Sequence, residues 1–370
     1  MASAASYYRW ILFFLLAVLW ILFASQKSYI RENKNLSTQA SATATYHDDA
    51  DVIFPSNSIS TETAFPPLTS SSDISALIPD PPTSASSQDD TETISTHKPR
   101  VLIVFSYTES DRARENLKYF IKHGLHLAAD FLFIFNGQTD AAIEVPLQEN
   151  IRIVKREKTC FDLGSTGEII RADDLWNVYD RFIIMNASLR GPFLPYWSDS
   201  CWSDRLLAKI TDTVKLVGIT AKCWPSFHIP SVIWATDKVG MAFLLDFTIG
   251  RTTSVFGGLE DPVGLSGCYK SLKQAAHAEV GATSVILEAG YSVDVLMSSF
   301  HKDFDSEAYC DSAAAGVLDP FREGSYLGVG LHPYETMFLR TSRGADSPSE
   351  ETLSSLMGDM AYSSYQSCKR

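Results

Sequence analysis

Several familiar chemical signatures are missing from this sequence. It has no CxxC pair, no HExxH and no Cys/His cluster at zinc spacing, which argues against a zinc finger or a zincin-type hydrolase. No GxSxG elbow occurs, which argues against a Ser-His-Asp hydrolase of the α/β type. Neither a Walker loop nor a GxGxxG fingerprint is present. Basic runs are missing from every stretch with the pattern of a folded segment, and 31 basic against 44 acidic residues leave a net charge of -13. Phosphate backbones demand clustered Lys and Arg, so no nucleic-acid partner is expected. No internal repeat is present. Paired glycosidase carboxylates stay open, because the fold and not a local motif sets their spacing.

Cysteine is sparse. Cys160, Cys201, Cys223, Cys268, Cys310 and Cys368 lie far apart, and sequence alone cannot choose between pairing in an oxidising compartment and burial as small hydrophobes. What is plentiful is apolar sequence: 45% of 370 residues, enough for a developed core in one or two domains.

Trp10 through Ala24 is unbroken apolar sequence. Extended from Tyr7 to Ser25 it gives a helix of about 28 Å, close to the hydrocarbon thickness of a bilayer. Arg9 can snorkel to headgroups beside Tyr7, Tyr8 and Trp10. Residues 1–25 are therefore expected to be an amino-terminal tail and transmembrane signal-anchor. A cleaved signal peptide is the rival, but small residues at cleavage spacing are missing around Ala24. Lys27, Arg31 and Lys34 after the run favour a cytoplasmic carboxyl side, whereas the sequon Asn35-Leu36-Ser37 favours a lumenal one. Residues 26–98 are rich in Ser, Thr, Pro and Asp without an apolar period. They cannot bury enough surface to offset their ordering entropy, and are expected to form a disordered stem.

Order is expected over residues 99–341, with 342–370 a loose polar tail. Val101–Tyr107, Phe131–Asn136, Ile151–Val154, Arg181–Asn186, Val214–Ile219 and Ser231–Thr236 have the length and apolar content of buried strands. Helices are expected after Ser110 as cap, ending at Gly124, over Asp237–Leu245, and over Leu272–Ala289 with a stop at Gly290. Strands alternating with amphipathic helices predict an α/β fold, a mainly parallel sheet with helices on both faces.

Ligands of such sheets lie beyond the carboxyl ends of the strands. Three polar places qualify. In Cys160–Glu168, Gly164 and Gly167 would let backbone N–H groups approach an anion at a helix start, and Asp162 would accept hydrogen bonds from a ribose or base; an ordinary capped helix start is the bland alternative. In Asn186–Pro192, polar residues end a strand, and Arg190 would hold phosphate as a bidentate donor; self-satisfied turn residues are the bland alternative. Near the end of the domain, His332 would bind a cation or phosphate. Glu279, on the long helix, would act as general base toward an acceptor hydroxyl. A single His or helical Glu is more often structural.

In this order, SYTESDRARENLKYFIKHG, FLFIFNG, KTCFDLGSTGE, YDRFIIMNASLRGPFLPYW, VKLVGIT, SVIWATDKVG, EAGYSVDVL and LHPYETMFLR resemble glycosyltransferase-like proteins of the rhamnan-synthesis type and their membrane-anchored eukaryotic relatives. The resemblance spans most of residues 100–340, and the DLG and NASLRGP elements carry most of it. It implies a GT-A-like fold, a nucleotide-sugar donor, and transfer to a glycan or glycoconjugate hydroxyl by a Golgi or secretory-pathway protein with a lumenal carboxyl-terminal domain. On this resemblance Asp162 would help hold the nucleotide, and Asn186 and Ser188 would border the diphosphate; Gly164 and Arg190 as further donor-binding residues, Glu279 as the catalytic base and His332 as a metal ligand are expected from the residues themselves. The family's strand end reads Asn-Asp-Ser. Here Ala187 replaces the acid, which stands against the Mn2+ or Mg2+ that the resemblance implies. Arg190 or His332 would have to supply the missing positive charge. A catalytically silent relative that binds glycan or a protein partner is the alternative function.

Overall fold

The computed structural model describes residues 99–248, 261–302, 306–311, 319–322, 324–341, 348–358 and 363–368. All lie within one of the two units into which the chain divides, Ser70–Arg370. The expected anchor, 1–25, and the expected stem, 26–98, fall outside the described residues. Among the described residues no helix is long and apolar enough to cross a membrane.

Seven strands form one sheet: β1 Val101–Thr108, β2 Asp130–Asn136, β3 Ile151–Arg156, β4 Arg181–Asn186, β6 Val214–Gly218, β7 Ile233–Asp237 and β8 Ser292–Val295. A separate two-stranded ladder pairs β5 Leu189–Arg190 with β9 Leu339–Arg340. The order in the large sheet is β3-β2-β1-β4-β7-β6-β8. All neighbours run parallel except those of β7, which is antiparallel to both β4 and β6. The expected mainly parallel sheet is therefore present. The reversal of β7 was not legible, because side-chain alternation is the same in either strand direction.

Helices cover both faces. On one, α1 (Asp111–His123) starts where the Ser110 side chain accepts from Ala113 N at 3.2 Å and stops at Gly124, whose N–H reaches Phe120 O at 2.7 Å. Its buried stripe includes Ala113, Leu117 and Phe120, the three-to-four spacing that an amphipathic helix needs. On the other lie α2 (Asp162–Ala172), α3 (Lys238–Leu245) and α4 (Leu272–Glu288). Asp237 caps α3 by accepting from Gly240 N, and Ser271 caps α4 by accepting from Gln274 N. Gly290, at φ +83°, turns the chain after α4, a conformation that favours glycine.

All six cysteines are paired, as Cys160–Cys268, Cys201–Cys368 and Cys223–Cys310. The second overturns the expectation of a loose tail after residue 341. There α5 (Pro348–Gly358) buries Met357 against Phe193 and Leu339, Ser364 Oγ donates to His123 O at 2.6 Å, and Cys368 is buried. A few docking residues scattered through a polar segment are enough to tie it down, and average composition hides them.

Candidate functional site

The chain lays down β1, β2 and β3 to one side of β1, then crosses so that β4 pairs on its other side. Strand order reverses between β1 and β4, and in open α/β sheets such a switch point opens a crevice at the carboxyl ends of the strands.

The residues there differ by face. Leu102 and Val104, Leu132 and Ile134, and Phe182 and Ile184 pack in the core beneath α2 and α4. Two residues further along each strand, the same face carries Ser106 and Thr108, Asn136 and Asn186. Ser106 stands in register with Asn186, and Thr108 with Asn136. Ser106 Oγ meets Thr166 Oγ1 at 3.2 Å, which fixes α2 over this polar edge. Asn136 is 2% exposed, and neither of its amide atoms has a hydrogen-bond partner among the described residues. Such burial costs about 1–3 kcal/mol.

A cavity of about 440 Å³ opens here, within the usual range for ligand sites. Ser106, Asp162, Asn186, Ser188 and Glu279 line it, so residues singled out in three separate stretches of sequence meet in one place. The turn after β4 is locally built: Asn186 Oδ1 accepts from Ser188 N at 3.1 Å and from Ser188 Oγ. Ala187 N donates to Ser106 O at 2.9 Å, and Ala187 O accepts from the wholly buried Asn116 Nδ2 at 2.8 Å. Asn116 Nδ2 also reaches Thr341 Oγ1 at 2.7 Å, which ties α1, the turn and the end of β9 into one wall.

Asp162 opens α2. Phe161 precedes it without a side-chain cap, and Phe161 N donates to Tyr269 O at 2.8 Å beside the Cys160–Cys268 bridge. Among the described residues the Asp162 carboxylate has no hydrogen-bond partner. Burial pushes its carboxyl above the ordinary value, with Lys158 pulling the other way. An unpartnered, perturbed carboxyl in a cleft marks a functional candidate. The other two carboxylates are engaged. Glu279 Oε2 accepts from Ser231 N at 2.8 Å and from Ser231 Oγ, and its Oε1 lies 3.8 Å from His228 Nε2. Burial holds the His228 imidazole below its usual value despite Glu279. Glu109, also on the lining, takes Arg114 through both oxygens at 3.1 and 2.8 Å, and that pairing holds it low.

Four expected site residues lie elsewhere. Gly164 and Gly167 give room to a neighbouring segment rather than to a ligand: a Cβ would stand 2.7 Å from Gly267 O at the first and 1.9 Å from Leu265 O at the second. Arg190 does not line the cavity. Its Nε donates to Asn116 Oδ1 at 2.9 Å and its Nη2 to Glu115 Oε2 at 2.8 Å, so it braces the wall from behind. His332 is exposed, does not line the cavity, and caps the turn Pro333–Thr336 by accepting from Tyr334 N at 3.2 Å. Sequence reasoning missed Arg112, in the first turn of α1, and Arg340, on β9, both of which line the cavity. Neither had a local signal, since an arginine at a helix start or strand end usually serves solvent.

A divalent cation does not fit these residues. Asp162 is the one unengaged carboxylate on the lining, and Ala187 offers no ligand. Among the described residues, the group of three potential ligands close enough to share an ion is His126, Cys201 and Cys368, whose two sulfurs are bonded to each other. The His126 imidazole is held down to about 4 by burial.

Fold and cavity define an α/β protein with a polar ligand cleft at the switch point of its sheet. No family model and no curated protein matches the chain.

Proposed function

We propose that the protein is a membrane-anchored glycosyltransferase of GT-A-like fold that moves a sugar from a nucleotide-sugar donor to a hydroxyl of a glycan or glycoconjugate. The observation that carries this reading is the meeting of Asp162 with the Asn186–Ser188 turn in one cavity at the switch point. Asp162 accepts from the ribose or base, while Asn186 and Ser188 border the diphosphate. Glu279 faces the same space, and Ser231 fixes one of its oxygens. In transfer, the bond from the sugar's anomeric carbon to the phosphate oxygen breaks and the acceptor oxygen bonds to that carbon. The acceptor proton passes to Glu279, and the nucleotide leaves with the bonding electrons.

Three disulfides that consume every cysteine support an oxidising compartment for this unit. They favour a lumenal carboxyl side, with the sequon and against the basic residues after the apolar run. A Golgi or secretory-pathway location follows, with the expected amino-terminal helix as anchor and the stem as spacer.

The second reading is a catalytically silent relative that binds glycan or a protein partner through the same cleft. Ala187 and the capture of Glu279 by Ser231 favour it. The test is nucleotide release by the full-length protein across a panel of nucleotide sugars, with glycan acceptors present. Turnover that falls at least about 100-fold in Glu279→Gln supports the transferase. Donor binding without turnover favours the silent relative, and no binding to any donor removes the transferase reading.

A further inference from the structure

Building on the transferase reading, we infer that His228 stands behind Glu279 as the second station of the proton: what Glu279 takes from the acceptor hydroxyl passes on to His228 Nε2. The reason lies in the proton inventory of one small cluster. Each carboxylate oxygen has two lone pairs. Ser231 N and Ser231 Oγ both donate to Glu279 Oε2, which fills that oxygen. An incoming proton is left with Oε1, and Oε1 is the oxygen that faces His228 Nε2, at 3.8 Å.

The tautomer of His228 completes the path. Its Nδ1 lies 2.8 Å from Ser226 O, and a carbonyl only accepts, so Nδ1 carries a proton. In the neutral ring Nε2 is then the nitrogen with the lone pair. Two proton acceptors thus face each other across a gap that one shared proton would close. The separation is longer than a hydrogen bond, but contacts of this kind commonly tighten only when substrate binds. Burial holds the imidazole below its usual value, so the ring is neutral at pH 7 and able to accept.

The cluster is held by its backbone. His228 N donates to Lys222 O at 2.8 Å, and Lys222 N donates to His228 O at 2.9 Å. Ile229 N donates to Thr283 Oγ1 at 2.9 Å. Thr283 follows Glu279 by one turn of α4, so one face of that helix grips the segment at two points. The other charged groups that act on His228 are Lys222 and Asp319, which oppose each other and are paired, and Arg340 also pairs with Asp319. In the transfer step the acceptor's O–H bond breaks and its oxygen bonds to the anomeric carbon. The proton moves to Glu279 and then to Nε2, the imidazolium keeps its Nδ1–H on Ser226 O, and the proton returns to solvent after the products leave. His228 does not line the cavity and acts through Glu279, so it is a positioning residue.

The test joins nitrogen NMR of the full-length protein, labelled with 15N at histidine, to steady-state kinetics over a panel of nucleotide sugars with glycan acceptors. The His228 signal is the one missing from His228→Gln. It is expected to show the Nδ1–H tautomer at neutral pH, with a titration midpoint that falls by about one pH unit or more in Glu279→Gln. Glu168→Gln, which breaks a pair with Arg156 on α2, is expected to leave that midpoint unmoved. In turnover, His228→Gln is expected to lower kcat about tenfold or more while KM stays within about twofold. Should Glu279→Gln misfold, the wild-type tautomer and His228→Gln decide. A neutral Nε2–H tautomer, an unmoved midpoint or an unchanged kcat overturns the relay and leaves the transferase reading standing. No turnover by the wild-type protein with any donor removes the transferase reading and the relay with it.

Discussion

The two faces of the central sheet end differently. Toward α1, the strands stay apolar to their last rungs: Ile103, Phe105 and Tyr107 on β1, Phe131, Phe133 and Phe135 on β2, Ile183 and Met185 on β4, with Ala187 just past its end. Toward α2 and α4 the same strands turn polar over the final one or two positions, at Ser106, Thr108, Asn136 and Asn186. Buried polar groups carry a cost that apolar ones at the same depth do not. The face that accepts this cost is the one that opens into the cavity. One face of the sheet holds the fold together, and the end of the other opens into the cavity.

The sharpest break of this contrast is a pair of truncations. Phe105 is wholly buried, with ring centroids 5.0 Å from Phe120 and 5.5 Å from Phe133. Phe105→Ala is expected to cost about 3–5 kcal/mol in denaturant unfolding. Asn186→Ala, at the end of β4 on the opposite face, is expected to cost about 1 kcal/mol in stability yet weaken donor binding about tenfold or more. Equal stability losses from the two would erase the distinction.

Two disulfides allow a finer division. Cys201–Cys368 ties down the carboxyl-terminal segment, whereas Cys160–Cys268 anchors the start of α2 beside Asp162. Replacing either pair by serine is expected to cost about 2–5 kcal/mol. Only the Cys160–Cys268 replacement is expected to weaken donor binding as well. A matching loss of binding from both pairs would mean that general loosening, and not the local anchor, governs the site.

The smallest effect concerns Asp162. Its folded-state carboxyl is raised, so its contribution to stability is full below the unfolded value of about 3.9 and is lost as pH rises through the folded one. Asp162→Asn cannot ionise. It is expected to be more stable than the wild type at pH 7, with the advantage vanishing toward pH 3, while donor affinity falls about tenfold. Thermal unfolding across that pH range reads the first effect and calorimetry the second. Destabilisation at pH 7 would indicate that Asp162 is a structural helix-start residue.

Much of this was legible in sequence because local rules wrote it. Apolar runs fixed β1, β2 and β4 to within a residue of their ends, and Ser110, Asp237 and Ser271 sit where side-chain caps are needed. The strand-end rule placed Asp162, Asn186 and Ser188 at the sheet's edge. What was hidden depends on distant partners. Gly164 is glycine because the Gly267 carbonyl packs against it, more than one hundred residues away in sequence. Arg190 was misplaced because nothing local reveals that Asn116 and Glu115 claim its donors. Arg112 and Arg340 become neighbours of one cavity only when β9 pairs with β5.

The most direct measurement is hydrogen–deuterium exchange of the full-length protein, with and without each nucleotide sugar of a donor panel. With at least one donor, residues 161–167 and 186–190 are expected to gain protection together, while the loop at 222–228 stays unchanged. Protection at only one of the two segments, or at neither with every donor, would contradict a shared nucleotide-sugar cleft between Asp162 and the turn after β4.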